Sequence, residues 1–222
     1  LLADLGLDPY AIDNAIRMFG MPMGPFRLGD LVGHDVGVHV GQNFIDDFPL
    51  RVYESKLIPG LMAGGRMGEK SGKGFYAYDA KRRATPDPEG IAALLRTSRA
   101  AAAGRFKHST DGELLAMTAD DIAEMIFFPV VNEACRCLAE GVVVRAGDLD
   151  VASILGMGFP PFRGGIVHWA DQVGAVRIAS RLREWCTRYG GIYQPCAYLE
   201  DCAVQGRALA DGPFTGPDRS KL

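Results

Sequence analysis

Apolar residues recur along most of this chain at the spacing of amphipathic helices. Ile12, Ala15, Ile16 and Phe19 share one face of a segment that Asp8 caps, Pro9 opens and Gly20 ends. The stretch before it, Leu1 to Gly6, reads as the last turn of a helix. Met21-Pro22-Met23-Gly24 turns into a second helix opened by Pro25, on which Gly29, Gly33, Gly37 and Gly41 recur every four residues. Each glycine costs a helix about 1 kcal/mol relative to alanine, so four in line predict a bare stripe against which a neighbouring backbone packs closely. A helix is expected around residues 50–63. The aromatic alternation Phe75-Tyr76-Ala77-Tyr78 predicts a short extended piece, and Asp87 with Pro88 opens a helix over Glu89 to Ala103. From Thr118, a capping-box start (Thr-Ala-Asp-Asp) leads into Ile122, Met125, Ile126, Val130, Ala134, Cys137 and Leu138 at helical spacing, with a kink expected at Pro129. These elements predict a mainly α architecture without a parallel sheet.

The pattern occurs twice. Shifted by 136 positions, Gly20-Met21 meets Gly156-Met157, Pro25-Phe26-Arg27 meets Pro161-Phe162-Arg163, Gly29 meets Gly165 and Asp35 meets Asp171, which makes 7 identities over the 16 positions 20–35. Unrelated segments would give about one, so a duplication is the better explanation. Leu2-Ala3 pairs with Leu138-Ala139 at the same offset. The second copy has a long helix from Thr118 ahead of that point and the first has only its final turn, so about 20 residues of the first copy are expected upstream of Leu1. Gly33 falls opposite Trp169 in this register, so the tight glycine contact is not expected in the second copy.

Composition adds a modest frame. The chain has 222 residues, 48% hydrophobic and 23% charged, room for two small helical domains. A net charge of -3 and a pI near 5.8 give no general attraction to nucleic acid or acidic membrane. The local basic excess of Lys81, Arg82, Arg83, Arg96, Arg99, Arg105 and Lys107 reads as a solvated surface. No apolar run approaches the roughly 20 residues of a membrane span. The five cysteines (Cys135, Cys137, Cys186, Cys196, Cys202) show no C-x-x-C pair and read as reduced thiols. Cys135 and Cys137, two apart on a helix, point in different directions, which argues against joint metal ligation.

Catalytic chemistry is sparse. His34 and His39 stand five apart on a helix, His108 lies in the basic segment and His168 beside Trp169; each reads as structural or surface, and no metal site is expected. Glu133, next to Asn132, is the best-placed buried carboxylate, explained by a capping or interhelical hydrogen bond. The run Gly64 to Gly74 resembles a nucleotide loop, but a helix precedes it and an extended piece follows, the reverse of a phosphate cradle.

Gly20-Met21-Pro22-Met23-Gly24-Pro25-Phe26-Arg27-Leu28-Gly29-Asp30, with Asp35-Val36 and Lys73-Gly74-Phe75-Tyr76, resembles the C-terminal domain of 3-hydroxyacyl-CoA dehydrogenases. Phe128-Pro129-Val130-Val131-Asn132-Glu133-Ala134-Cys135-Arg136, Asp148-Leu149-Asp150 and Gly156 to Gly165 resemble the plant-type peroxisomal multifunctional proteins of fatty-acid β-oxidation. The resemblance implies two tandem copies of the helical domain, the first truncated at its N-terminus. Residues 1–78 would be the first copy, 79–117 a linker with one helix, 118–205 the second copy and 206–222 a tail. It also implies a 2-enoyl-CoA hydratase and an NAD-binding domain upstream, with the catalytic His, Glu and Asn there and none in this chain. NAD would be bound by that absent domain and none by this chain alone. Met21, Pro22, Met23, Gly24, Pro25 and Phe26 would lie nearest the acyl-CoA substrate, and the second copy would pack on the first as a partner subunit does in dimeric dehydrogenases. Ser220-Lys221-Leu222 matches the C-terminal address read by the peroxisomal import receptor, after an extended Gly-Pro-rich approach. A related non-peroxisomal trifunctional α-subunit fits that tripeptide less well. A helical scaffold or binding protein that kept the fold without the chemistry is the alternative from another class.

Overall fold

The computed structural model describes residues 1–106 and 112–212, which cluster into two units, Leu1–Ile122 and Ala123 onward. Lys107, His108 and the tail signal Ser220-Lys221-Leu222 lie outside the described residues.

The first unit opens with a closed helical turn. Gly6, at φ 118°, donates to Ala3 O while Leu7 donates to Leu2 O, so the turn ends as a helix with a left-handed cap. Helix α1 (Pro9–Phe19) has the caps its sequence dictates: Asp8 accepts from Ala11 N, and Gly20 closes the C-terminus in the left-handed region. Ile12, Ala15, Ile16 and Phe19 are all buried. Helix α2 (Pro25–Val32) packs on α1, α3 (His34–Asp47) on α2, α4 (Leu57–Ala63) on α3, and α5 (Pro88–Ala103) on α4. The helix expected around 50–63 thus forms only in its second half. Strands β1 (Tyr76–Tyr78) and β2 (Ala84–Pro86) pair antiparallel, Ala77 opposite Thr85.

Residues 79–117, expected as a linker, supply β2, α5 and the short α6 (Gly112–Leu115) to this unit. Asp87 caps α5 as its sequence predicts, accepting from Gly90 N at 3.1 Å. The inner face of α5 is tied to the chain start: Ser98 donates to buried Asp4 at 2.5 Å, and Arg99 donates to the carbonyls of Ala3 and Leu7. The one-sided burial of Ile91, Ser98 and Ala102 shows why the segment packs here.

The glycine stripe does not run along one helix. Gly33 adopts φ 99°, ψ 133° and separates α2 from α3, and a Cβ built at Gly37 or Gly41 meets nothing within 4 Å. The predicted close contact is therefore not made by Gly37 or Gly41 among the described residues.

Helix α7 (Ala119–Ala139) begins with the predicted reciprocal cap, Thr118 N to Asp121 Oδ2 at 3.0 Å and Asp121 N to Thr118 Oγ1 at 3.2 Å. Pro129 lies inside it. In the second unit α8 (Ala146–Met157), α9 (Ile166–Val173), α10 (Ala175–Tyr189) and α11 (Ala197–Gln205) pack each on the next. Phe127, Phe128, Phe159, Trp169 and Trp185 form its aromatic core, with ring centroids 5.5–6.1 Å apart along the sequence of contacts. Glu133 is exposed and paired with Arg136, and the buried polar group on this helix is its neighbour Asn132.

Candidate functional site

Two buried carboxylates organise the first unit. Asp13 stands on the apolar face of α1 and accepts from Phe26 N at 2.8 Å and Arg27 N at 2.9 Å, closing the open amides at the start of α2. The hydroxyl of Tyr76 donates to it at 2.8 Å. Asp30, on α2, accepts from Phe75 N, Tyr76 N and the hydroxyl of Tyr78 at 2.7–2.8 Å and pairs with His34 Nε2 at 2.8 Å. His34 is thus structural, as its sequence setting suggested. Gly24 must be glycine because a Cβ there would stand 2.3 Å from Asp13 Cα. The start of α2 is seated directly on α1.

The second unit repeats this geometry in a shifted register. Asp150, fifth residue of α8 as Asp13 is of α1, accepts from Val167 N at 2.7 Å and His168 N at 3.1 Å. Gly165 precedes α9 as Gly24 precedes α2, and its Cβ would stand 2.3 Å from Asp150 Cβ. Asp171, sixth in α9 as Asp30 is in α2, accepts from two successive amides, Leu209 N and Ala210 N. Gly174 (φ 94°, ψ 132°) has the backbone of Gly33 between α9 and α10. Pro161, in contrast, opens a 3₁₀ turn over Pro161–Arg163, while Pro25 opens an α-helix. The pairing of these two prolines as equivalent helix starts is therefore corrected. An extra turn after Phe159 displaces the register, and Gly33 corresponds to Gly174, not to Trp169.

Beside the first clamp lies a cavity of about 510 Å³, lined by Pro22, Met23 and Gly24 of the predicted turn and by Tyr10, Asp13, Asn14, Arg17, Arg27 and Tyr76 among others. Of the remaining turn residues, Met21 closes the α1 C-terminus through Ile16 O, Pro25 opens α2, and Phe26 stacks edge-on against Phe75 at 4.6 Å. The turn divides into three cavity residues and three that hold the fold. Tyr10 links the walls, donating to Phe75 O at 2.8 Å and accepting from Asp87 N at 2.9 Å. Arg27 bonds Glu69 at 2.8 Å and lies over the Tyr78 ring at 5.0 Å. Its Nη1 is buried without a hydrogen-bond partner among the described residues.

The electrostatics favour binding over proton transfer. Burial pushes the Tyr10 hydroxyl up to about 12. Burial, then the hydrogen bond to Asp13, pushes Tyr76 higher still, so both stay protonated at neutral pH. Burial also outweighs the three donors on Asp13 and raises its carboxyl. With its oxygens committed to helix amides, Asp13 is poorly placed to serve as a base. Arg17 and Arg27 supply positive charge at the wall. The sequence reading missed Asp13, Arg17 and Arg27. A carboxylate within the stripe Ile12, Ala15, Ile16, Phe19 was the available signal for the first; the arginines had none.

Comparison with known proteins is sharpest over this part of the chain. The family model of the 3-hydroxyacyl-CoA dehydrogenase C-terminal domain matches residues 1–78. The match to that family rests on residues 1–78. The matched stretch holds α1–α4 and β1, both carboxylate clamps and most of the cavity wall. Across 95% of its length the chain is 51% identical to the glyoxysomal fatty acid beta-oxidation multifunctional protein MFP-a of Cucumis sativus. It is 49% identical over 94% of its length to the peroxisomal fatty acid beta-oxidation multifunctional protein MFP2 of Arabidopsis thaliana. It spans 28% of either relative's own length. Among solved structures, the dehydrogenase part of multifunctional enzyme 1 from C. elegans aligns over 88% of this chain and 42% of its own, with a TM-score of 0.65 and 26% identity. The 3-hydroxybutyryl-CoA dehydrogenase of Escherichia coli shares the fold over 90% of this chain and 55% of its own, at TM-score 0.64 and 24% identity.

An NAD cradle needs a strand, a glycine turn and a helix N-terminus in that order. The Gly64 to Gly74 run instead leaves α4, passes a 3₁₀ turn and enters β1, and Gly68 and Gly74 press on Asp30. These residues do not fit a dinucleotide. Among the described residues no cluster of three or more His, Cys, Asp or Glu could hold a metal, and no helix is long and apolar enough to cross a membrane.

Proposed function

We propose that this chain is the C-terminal part of a peroxisomal fatty-acid β-oxidation multifunctional enzyme, contributing substrate-side and packing surfaces to an NAD-dependent L-3-hydroxyacyl-CoA dehydrogenase. The observation that carries this reading is the identity of about half its residues, over nearly its whole length, with plant multifunctional proteins of that process. The paired clamps Asp13 with Asp150 and Asp30 with Asp171 support two tandem copies of the helical domain. Pro22, Met23 and Gly24 on the cavity wall, with Arg17 and Arg27 nearby, form the surface facing the acyl-CoA. Apolar turn atoms suit an acyl chain and the guanidinium groups suit anionic parts of the thioester carrier. NAD and the catalytic His, Glu and Asn belong to parts of the longer protein that precede these residues.

Replacing the corresponding C-terminal segment of the Cucumis sativus protein with this chain tests the reading. The chimera should oxidise 3-hydroxyacyl-CoA with NAD at a rate within about 10-fold of its parent, since matching surfaces cost little transition-state energy. A folded chimera without that activity would favour a scaffold that kept only the fold. A fluorescent fusion that preserves Ser220-Lys221-Leu222 at its end should be punctate and import-receptor dependent, and deletion of Leu222 should make it diffuse.

A further inference from the structure

The second unit serves as a control on the cavity beside Asp13. Counted along the matched helices, Tyr10, Asn14 and Arg17 of α1 fall opposite Gly147, Val151 and Ile154 of α8, and Arg27 of α2 falls opposite His168 of α9. The clamp itself recurs, Asp13 with Asp150 and Gly24 with Gly165. The polar residues around it do not. The same helix pair thus closes on its carboxylate without two arginines beside it, and the presence of Arg17 and Arg27 in one copy alone asks for a reason other than the fold.

Arg27 is held on two sides and left open on a third. Its Nη2 donates to Glu69 at 2.8 Å, and its guanidinium lies over the Tyr78 ring at 5.0 Å. Arg82 also approaches Glu69, at 3.8 Å, so one carboxylate is shared between two guanidinium groups. Nη1 of Arg27 is buried without a hydrogen-bond partner among the described residues, a costly state for a charged donor. Arg17 stands exposed on the α1 wall of the same cavity. The carboxylate facing them, Asp13, already receives Phe26 N, Arg27 N and Tyr76, and the Tyr10 hydroxyl is engaged by Phe75 O and Asp87 N. The first amides of α2 therefore have nothing left for an incoming anion. The guanidinium groups do, and with Arg17, Arg27 and Arg82 against Glu69 and Asp13 the wall keeps a positive excess.

We propose that this cavity is a phosphate subsite in which Arg17 and Arg27 hold a phosphoryl group. The inference rests on the acyl-CoA reading of the cavity and says which half of that molecule enters it: the phosphorylated carrier. A guanidinium offers parallel N–H donors that match phosphate oxygens, which a lone ammonium does not. A small turn of the Arg27 guanidinium, with Tyr78 and Glu69 keeping its stem in place, brings Nη1 to an entering oxygen and removes the cost of its unpaired state. Arg17 meets a second oxygen from the α1 side. The volume of about 510 Å³ accommodates a phosphoryl group with the sugar or pantetheine atoms next to it. Two parts of the carrier have this chemistry, the ribose phosphate monoester and the pyrophosphate bridge.

Calorimetric titration of the full chain with four probes decides it: 3-hydroxybutyryl-CoA, its dephospho-CoA and pantetheine counterparts, and inorganic pyrophosphate. The pantetheine thioester should bind at least about 10-fold more weakly than the CoA thioester, as loss of a charge-assisted contact predicts. Arg17→Gln and Arg27→Lys should each remove most of that difference and leave the pantetheine thioester as it was, whereas a merely loosened α2 would weaken both thioesters alike. Dephospho-CoA thioester binding as weak as the pantetheine form assigns the site to the ribose monoester; binding as tight as CoA assigns it to the pyrophosphate. Equal affinity for the CoA and pantetheine thioesters, or a CoA preference that survives both variants, overturns the phosphate subsite while the acyl-CoA reading stands. Pyrophosphate that binds only when both arginines are present, with no thioester bound, keeps the subsite and removes the acyl-CoA from it. No binding of any probe overturns both. Arg17 is exposed, so its variant carries the comparison even if Arg27→Lys fails to fold.

Discussion

Asp30 collects the polar order of the first unit. Burial alone would push its carboxyl up, but the bonds from His34, Tyr76 N, Phe75 N and Tyr78 outweigh burial and hold it below the ordinary carboxylate range. A depressed folded value stabilises the fold fully above the unfolded carboxylate value of about 3.9, and that contribution is lost as pH falls through the folded value. Asp30→Asn keeps one acceptor oxygen for four donors and should cost about 3 kcal/mol at neutral pH. Urea midpoints for variant and wild type should converge as pH falls toward about 3; a constant gap would show that charge is not what Asp30 contributes. Asp13 works in the opposite sense, because its raised carboxyl loses stability for the fold as pH rises through it. Asp13 was missed, although a carboxylate in an apolar stripe is a local signal that could have found it. The partners of Asp30 had no such signal, since Phe75 and Tyr76 lie 45 and 46 residues away and no local pattern encodes so distant a bond.

At the scale of elements, caps were read correctly wherever the information is local: Asp8 with Pro9, Asp87 with Pro88, Thr118 with Asp121. The glycine stripe was misread because a four-residue period presumes one continuous helix, and Gly33 at φ 99° ends one helix and begins another. The correction changes the sign of an experiment. Gly37 lies in α3 with open space around it, so Gly37→Ala should stabilise the chain by up to about 1 kcal/mol. Gly24→Ala should destabilise it by about 2 kcal/mol, because the new methyl group meets the α1 backbone. Gly165→Ala should cost more, adding a left-handed φ of 110° to the same collision. Thermal midpoints of the three variants test this. A destabilising Gly37→Ala would restore the close-contact reading, and a neutral Gly24→Ala would mean that α2 does not rest on Asp13.

At the scale of the whole molecule, the sequence identities and the structural correspondences between the two units follow different registers. The Pro-Phe-Arg identities fall in an α-helix in one unit and a 3₁₀ turn in the other, while the structurally matched residues share few identities beyond Gly24, Asp30 and Gly33 with Gly165, Asp171 and Gly174. Identity tracked the turn and physics tracked the clamps. The clamps also bound what the chain does alone. Hydride transfer to NAD needs a dinucleotide cradle and a base beside the substrate hydroxyl. The glycine run is spent packing on Asp30, and the cavity's Asp13 is spent capping α2. The chain supplied with NAD and a 3-hydroxyacyl-CoA should therefore produce no NADH absorbance above the enzyme-free rate. Titration with the acyl-CoA alone should still perturb Tyr10 and Tyr76 fluorescence if the cavity faces substrate. Turnover at about 1 s⁻¹ or faster, a rate ordinary for enzymes, would mean that these helices hold a complete active site that the geometry of Asp13 and Asp30 does not provide.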